Sequence, residues 1–142
     1  MMIMKKMLLF LLVIFCATSA SGETNLMQIF QSNKWVGADA NTTMLILIKE
    51  FPNKIENACQ FKGEVMLKSM YELPQISGMN GEAWIRDGKL YVKMELDIRE
   101  ADVEWFGILS SLSDGRLQFN GDMSIGYGGR GRETPIKIYF VK

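Results

Sequence analysis

The residue types that carry most enzyme chemistry are scarce in this chain of 142 residues. Histidine is absent, which excludes Ser-His and Cys-His nucleophile pairs, the commonest general base, and most zinc or copper sites. Of the two cysteines, Cys16 and Cys59, we expect Cys59 to be a small core residue, because no base can be identified beside it. The sequence therefore predicts a protein that is not an enzyme and has no cofactor, metal ion or catalytic residue.

Carboxylates are the remaining candidates for acid–base chemistry, and several are concentrated between residues 95 and 104. A glycosidase needs two carboxylates on opposite sides of a sugar. Glu95 and Asp97 instead share the polar face of one predicted strand, where contact with solvent is the ordinary explanation. We therefore assign no catalytic role to them.

Residues 126–131 read Gly-Tyr-Gly-Gly-Arg-Gly and match the Gly-x-Gly-x-x-Gly pattern of dinucleotide-binding proteins. That pattern works where a strand leads in and a helix N-terminus follows to hold the pyrophosphate. Here Glu133-Thr134-Pro135 and a predicted strand follow instead, so we interpret the segment as a flexible loop. From this loop, Arg130 and Arg132 could contact an anion or a partner, and Tyr127 is a further candidate for contact with a partner.

The first part of the chain has the three regions of a secretory signal in their usual order. Lys5 and Lys6 form the positive region, residues 7–15 are continuously apolar, and the small residues that follow allow cleavage after Ala20 or two residues later. A membrane anchor would need roughly 20 apolar residues, and this stretch is shorter. Cys16 keeps a lipoprotein signal open as the alternative, although Phe15 before it is larger than the residue such signals carry.

We therefore predict an export signal over residues 1–20, a short helical segment over 21–34 and a single β-barrel domain over 35–142. Cleavage leaves Cys59 as the lone thiol, so the mature domain has no intramolecular disulfide. The chain has 16 basic and 16 acidic residues, and loss of two lysines makes it slightly acidic. It lacks the basic surface that nucleic-acid binding requires. We expect a periplasmic or extracellular protein with no transmembrane segment in the mature chain.

Alternating apolar and polar residues give the clearest structural pattern of the mature chain. In residues 89–98 and again in 116–125, apolar side chains fall on one face of a strand and polar side chains on the other. Each segment follows an Asp-Gly pair, at positions 87–88 and 114–115, which suits the positive φ angles of tight hairpin turns. These two segments predict successive β-hairpins.

The remaining segments predict further short strands around one short helix. Leu26, Ile29 and Phe30 have helical spacing, whereas Met44–Ile48 is an apolar run that could be buried on both faces. Other predicted features are a turn over 51–54 and strands over 60–68, 103–109 and 136–141. The whole predicts an all-β fold, an antiparallel meander of seven or eight strands that closes into a small barrel and so removes its exposed edges.

Several landmarks follow one another along the chain. They are Trp35-Val36-Gly37, Leu73-Pro74, the Asp-Gly turn at 87–88, the strand 103–109, the Asp-Gly turn at 114–115, and Pro135–Ile138. Their order resembles small calycin-like barrels of the lipocalin and avidin type. It is closer still to compact exported bacterial β-modules with a Trp-x-Gly start and repeated Asp-Gly-x-Leu turns. The chain reads Trp-Val-Gly where lipocalins read Gly-x-Trp, so the resemblance implies the fold and no functional residue.

Two hypotheses of function follow. In the first, an exported, non-enzymatic binding protein holds a small apolar ligand inside the barrel, where methionines supply an adaptable lining. The predicted lining or core residues are Leu90, Val92, Met94, Leu96, Trp105, Leu117, Phe119, Met123 and Ile138, with Met66, Met70 and Met79 as further lining. In the second, the barrel is filled and the protein is an interaction module, such as an inhibitor or an envelope accessory factor. Trp105 is expected in the core and Trp84 on the outside.

Overall fold

The computed structural model describes residues 25–40, 43–68, 75–96, 102–127 and 130–142. They form one short helix, α1 (25–31), followed by eight strands. The strands are β1 (Trp35–Asp39), β2 (Met44–Lys54), β3 (Ala58–Leu67), β4 (Gln75–Arg86), β5 (Lys89–Leu96), β6 (Asp102–Ser111), β7 (Leu117–Tyr127) and β8 (Arg130–Val141). None of the helical residues in these ranges belongs to a segment long and apolar enough to cross a membrane.

The strands form an antiparallel meander in which every strand pairs with its neighbours in the sequence. The short β1 closes the barrel, because it pairs with β2 on one side and with the end of β8 on the other. The predicted all-β barrel with a short N-terminal helix is therefore confirmed. Closure pairs both edges of the sheet over the length of β1, where an open sheet would present free N–H and C=O groups.

The hairpin between β4 and β5 shows how the local sequence produces the fold. Asp87 and Gly88 have φ angles of 52° and 71° and connect the paired residues Arg86 and Lys89. Positive φ angles at both central residues are typical of the two-residue hairpin turn whose twist matches the strands. The second Asp-Gly pair differs, because it lies in a longer loop over 112–116 where only Gly115 has positive φ. Only the first of the two hairpin turns is therefore as tight as predicted.

The helix α1 crosses the end of the barrel where β1 begins. Met27 and Phe30 are buried, and the Phe30 ring packs edge-on against the rings of Phe51 and Phe61 at centroid distances of 5.2 and 5.3 Å. The indole Nε1 of Trp35 donates a hydrogen bond to the carbonyl oxygen of Phe30 at 2.8 Å. The predicted helix is present, but it is rotated so that Met27 faces the core, which leaves Ile29 exposed.

A pair of glycines lets β6 and β7 approach closely on the inner side of the barrel. Gly107 pairs with Gly121, and a methyl group added to Gly121 would lie 2.6 Å from the Cα atom of Gly107. Backbone would have to shift to admit any side chain there. Such close approach is what a small barrel needs where its sheet curves sharply.

Three local predictions are wrong. Residues 51–54 are not a turn, because β2 continues to Lys54 and register shifts beside Glu50 accommodate Phe51 and Pro52. Met44–Ile48 is fully buried on one face only, since Leu45 and Leu47 are half-buried on the other. The segment 126–131 is not a free loop, because Gly126 pairs with Gly131 and Tyr127 with Arg130 across the β7–β8 hairpin.

Candidate functional site

The interior of the barrel is filled by the residues predicted to line or form it. Eight of the nine are buried, namely Leu90, Val92, Met94, Leu96, Trp105, Leu117, Phe119 and Ile138, while Met123 is half-buried. Large aromatic side chains occupy the same space, among them Trp35, Phe61 and Phe140, each no more than 2% exposed. The described strands thus bring the predicted set together as a packed core.

Trp105 is the largest side chain at the centre of this core. It is 0% exposed, and its register partners on β5 and β7 are Met94 and Met123. Its indole Nε1 has no hydrogen-bond partner among the described residues, unlike that of Trp35. A buried donor without a partner costs about 1–3 kcal/mol.

A pocket opens at the barrel end opposite α1, where β1 stops at Asp39. It has a volume of about 350 Å³ and is lined on its apolar side by Met44, Leu67, Met123 and Ile136. Asp39 lies on its rim, where its carboxylate accepts hydrogen bonds from the Thr43 hydroxyl and from the backbone N–H of Met44. We call this pocket the barrel mouth.

The other predicted methionines do not line the barrel mouth. Met79 and Met94 are buried in the core, and Met66 points outward on β3, where its register partners are Leu45 and Ile76. Met70 lies outside the described residues. The partner role predicted for Tyr127, Arg130 and Arg132 stays a prediction, because their side chains also lie outside the described part of the chain.

The outer face of β4, β5 and β6 carries a group of aromatic side chains. Trp84 is paired in register with Tyr91, and Tyr91 with Ile108, while Phe106 sits one row away beside Lys93. The ring centroids of Trp84, Tyr91 and Phe106 lie 6.0 Å apart in each pair, with interplanar angles of 16°, 19° and 34°. We call Trp84, Tyr91, Phe106 and Ile108 the aromatic wall.

A groove runs along one side of the aromatic wall, because the outward residue beside Trp84 on β3 is an alanine. The register partner of Trp84 on β3 is Ala58, so the side of the indole away from Tyr91 is left open. A cavity of about 460 Å³ lies there, with Trp84 on one side and Ile55, which is 67% exposed, also lining it. The polar groups of the groove are Glu82 and an amide pair in which Asn53 Nδ2 donates to Gln60 Oε1 at 2.7 Å.

Carboxylates surround Lys93 on the side of the aromatic wall that faces the barrel mouth. Glu95 and Glu104 are direct register partners, an arrangement in which like charges repel. The Lys93 Nζ atom lies 3.1 Å from Glu95 and 3.9 Å from Glu104. The hydrogen bond with Glu95 and the charge of Glu104 raise the pKa of Lys93, so it remains charged at neutral pH. One ammonium group thus faces two carboxylates, with Glu82 as a third neighbour.

Cys59 lies beneath the groove, and its thiol is buried and unreactive. It is 5% exposed, and its Sγ atom is 3.8 Å from the Met27 sulfur. Burial raises the pKa of its thiol to about 11, so the thiol stays protonated at neutral pH. The predicted core position of Cys59 is confirmed.

Sequence patterns alone place two members of the aromatic wall on the outside. The neighbours Glu82 and Arg86 predict an outward Trp84, and the alternation in residues 89–98 predicts an outward Tyr91, whereas no pattern identifies Phe106. Their proximity depends on the β5–β6 register, which sequence alternation does not specify. Within the described ranges, no group of three His, Cys, Asp or Glu side chains stands close enough to hold a metal ion. The chain matches no family model, no curated protein and no solved structure.

Proposed function

We propose that this chain is an exported, non-enzymatic binding protein of calycin-like fold that recognises a protein partner through the aromatic wall. The observation that carries the proposal is the cross-strand stack of Trp84, Tyr91 and Phe106 on the outside of a barrel whose interior is packed. A filled interior supports the interaction module over a ligand carrier. The export signal predicted over residues 1–20 supports a partner in the periplasm or outside the cell.

The exposure of these rings is costly unless something covers them. Phe106 is 46% exposed although its backbone neighbours Trp105 and Gly107 are buried, so its side chain is directed to solvent by the strand's alternation. Aromatic residues are enriched in the centres of protein interfaces, where they supply large contact area at low entropic cost. One side of the Trp84 indole is uncovered above the groove, so a side chain of the partner can insert there.

The charges around the wall favour a partner with basic side chains. Glu82, Glu95, Glu104 and Asp122 occupy outward positions beside the rings. The counter-charges in those rows are Lys93 and, on β3, Lys62. At the hairpin tip, Arg86 and Lys89 flank Asp87, which leaves the surface as a whole with surplus negative charge. Basic groups on a partner can pair with these carboxylates and contact the aromatic faces.

A second candidate function rests on the barrel mouth. Its four apolar side chains and volume of about 350 Å³ suit a small apolar group or the end of a chain. A ligand there would touch Met123 and lie near the Trp105 layer. Native mass spectrometry of protein purified from its own host tests this candidate, because a bound ligand adds mass.

The primary proposal is tested by affinity purification from the host with the tagged mature protein. Wild type is compared with the variant Tyr91→Ser/Phe106→Ser and with Tyr139→Ser, a matched aromatic change on another side of the barrel. We expect one protein to be enriched by wild type and by the Tyr139 variant, and to be lost with the double variant. Equal recovery with all three proteins would contradict the proposal.

A further inference from the structure

A second apolar surface covers the side of the barrel where it closes. Two rows of outward residues run across β8, β1, β2 and β3 in direct register. One row passes through Val141, Val36 and Leu47, and the other through Tyr139, Ala38, Leu45, Met66 and Ile76 on β4. We call these eight residues the aliphatic wall.

The members of the aliphatic wall are uncovered to different extents. Ile76 is 65% exposed, Val141 45% and Val36 41%, while Leu45, Leu47 and Met66 are half-buried. The residues between them in the sequence, such as Ile46 and Phe140, fill the core. These strands are therefore apolar on both faces, which is the pattern of a sheet covered on both sides. The described residues of one chain cover only the inner face.

Charge determines what can cover the outer face. The nearest ionic groups on β2 and β3 are Lys49 and Glu64, which pair with each other at 2.9 Å. On the β8 side, the Arg116 guanidinium lies 5.2 Å from the centroid of the Tyr139 ring and pairs with Asp114 at 2.7 Å. Each of these two ion pairs has no net charge, so a second copy of the wall can approach without net repulsion from them. The aromatic wall, with its surplus of carboxylates, would repel its own copy at the same distance. The neutral, aliphatic composition thus fits a second copy of this chain, because a two-fold interface places the same surface on both sides.

We propose that two copies of the protein associate through their aliphatic walls in a two-fold dimer. In the closed order of eight strands, β5 is opposite β1. The dimer therefore presents its two aromatic walls outward, on opposite ends of the assembly. Each protomer keeps its partner-binding surface free, and the dimer is bivalent.

Sedimentation velocity of the mature chain over a range of concentrations tests the dimer directly. We expect a species of twice the chain mass in the wild type. Val36→Lys and Ile76→Lys each place a charge in the neutral interface and are expected to weaken association at least about tenfold. Phe106→Lys, at a similarly exposed position on the aromatic wall, is the matched control and should leave the dimer intact.

Two outcomes overturn the proposal. One is a wild-type protein that remains monomeric at about 100 μM, above the micromolar range in which weak dimers form. The other is a dimer that survives both lysine variants and dissociates with Phe106→Lys. Circular dichroism checks that each variant is folded.

A dilution series of the wild type tests the dimer without any variant. The methyl NMR signals of Met66 and Ile76 should shift on dilution, and constant signals would contradict the dimer.

Discussion

The aromatic wall is centred on β5 and the aliphatic wall on β1 and β2, and the two differ in what surrounds their apolar groups. Trp84, Tyr91 and Phe106 are interleaved with carboxylates and one lysine, whereas Val36 and Ile76 belong to a surface whose nearest ions neutralise each other. Both surfaces leave large apolar side chains exposed. An exposed apolar group indicates that something covers it, and the charge around it indicates what that something is.

The same comparison separates the outside of the barrel from its inside. Trp105 and Trp84 have the same side chain, but the first is enclosed by the core and the second stands half-buried above a groove. The inner tryptophan contributes to stability and the outer one is available for binding.

Truncation of the two tryptophans gives the largest contrast. Trp105→Ala removes a fully buried ring and is expected to destabilise the fold by about 3–5 kcal/mol, whereas Trp84→Ala should cost about 1 kcal/mol or less. Urea unfolding of both variants measures the difference. A Trp84 variant as unstable as the Trp105 variant would mean that the aromatic wall is structural.

The next effect concerns the thiol below the groove. Burial raises the pKa of Cys59 from 9.0 to about 11, so the folded state favours the protonated thiol. The resulting stability is fully present below pH 9.0 and is lost as the pH rises through about 11, a fall of about 2 kcal/mol. Denaturation between pH 8 and 11 should show this loss in wild type and a smaller one in Cys59→Ala.

A thiol reagent adds a second measurement of the same site. Cys59 should react with it only as fast as the protein opens, because the thiol is protonated and covered. Rapid modification in the folded state would show that the groove extends down to the sulfur.

Charge placed on the two walls should have opposite consequences for the partner and for the dimer. Phe106→Lys puts a cation where we expect the partner's basic groups, so partner binding should fall at least about tenfold while self-association is unchanged. Val36→Lys should leave partner binding by each protomer unchanged. Titration calorimetry with the purified partner measures the first effect. Equal losses of partner affinity in Phe106→Lys and Val36→Lys would contradict the assignment of the two walls to different occupants.

The smallest effect comes from the like-charged pair on the aromatic wall. Glu104→Gln removes the repulsion with Glu95 together with a long contact to Lys93, so unfolding free energy should change by no more than about 0.5 kcal/mol. The pKa of Lys93 should move down towards its ordinary value, because one of the charges that raise it is gone. NMR titration of the lysine Nζ groups measures this, and an unchanged pKa would show that Glu95 acts alone.

Much of the fold follows from local sequence rules. The alternation in residues 89–98 fixes which face of β5 is inside, and Asp87-Gly88 fixes its hairpin turn. The turn predicted over 51–54 is wrong. Proline usually ends a strand, but here a register shift and the packing of Phe51 on Phe30 keep Pro52 within β2. The predicted orientation of α1 is also wrong, because Met27 faces the core in place of Ile29. Both residues fit a short helical pattern, and only the shape of the barrel end selects between them.

The candidate surfaces are harder to predict from the sequence than the core. The aromatic wall arises from residues on three strands, and the register that brings Lys93 beside Phe106 is a long-range property. Part of the aliphatic wall can be predicted from the sequence, because the run Met44–Ile48 predicts burial on both faces. The single chain buries one of those faces, and the prediction becomes correct for the whole run only in the proposed dimer.

Site-specific photo-crosslinking tests the central claim that the two walls have different occupants. A photoreactive phenylalanine analogue is placed at Phe106 or at Ile76 of the full-length protein in its own host, with Glu50 as an exposed control position. We predict that position 76 gives an adduct of twice the chain mass, and that position 106 gives an adduct with a different protein. The same adduct from both positions, or no adduct above the Glu50 control, would contradict the account.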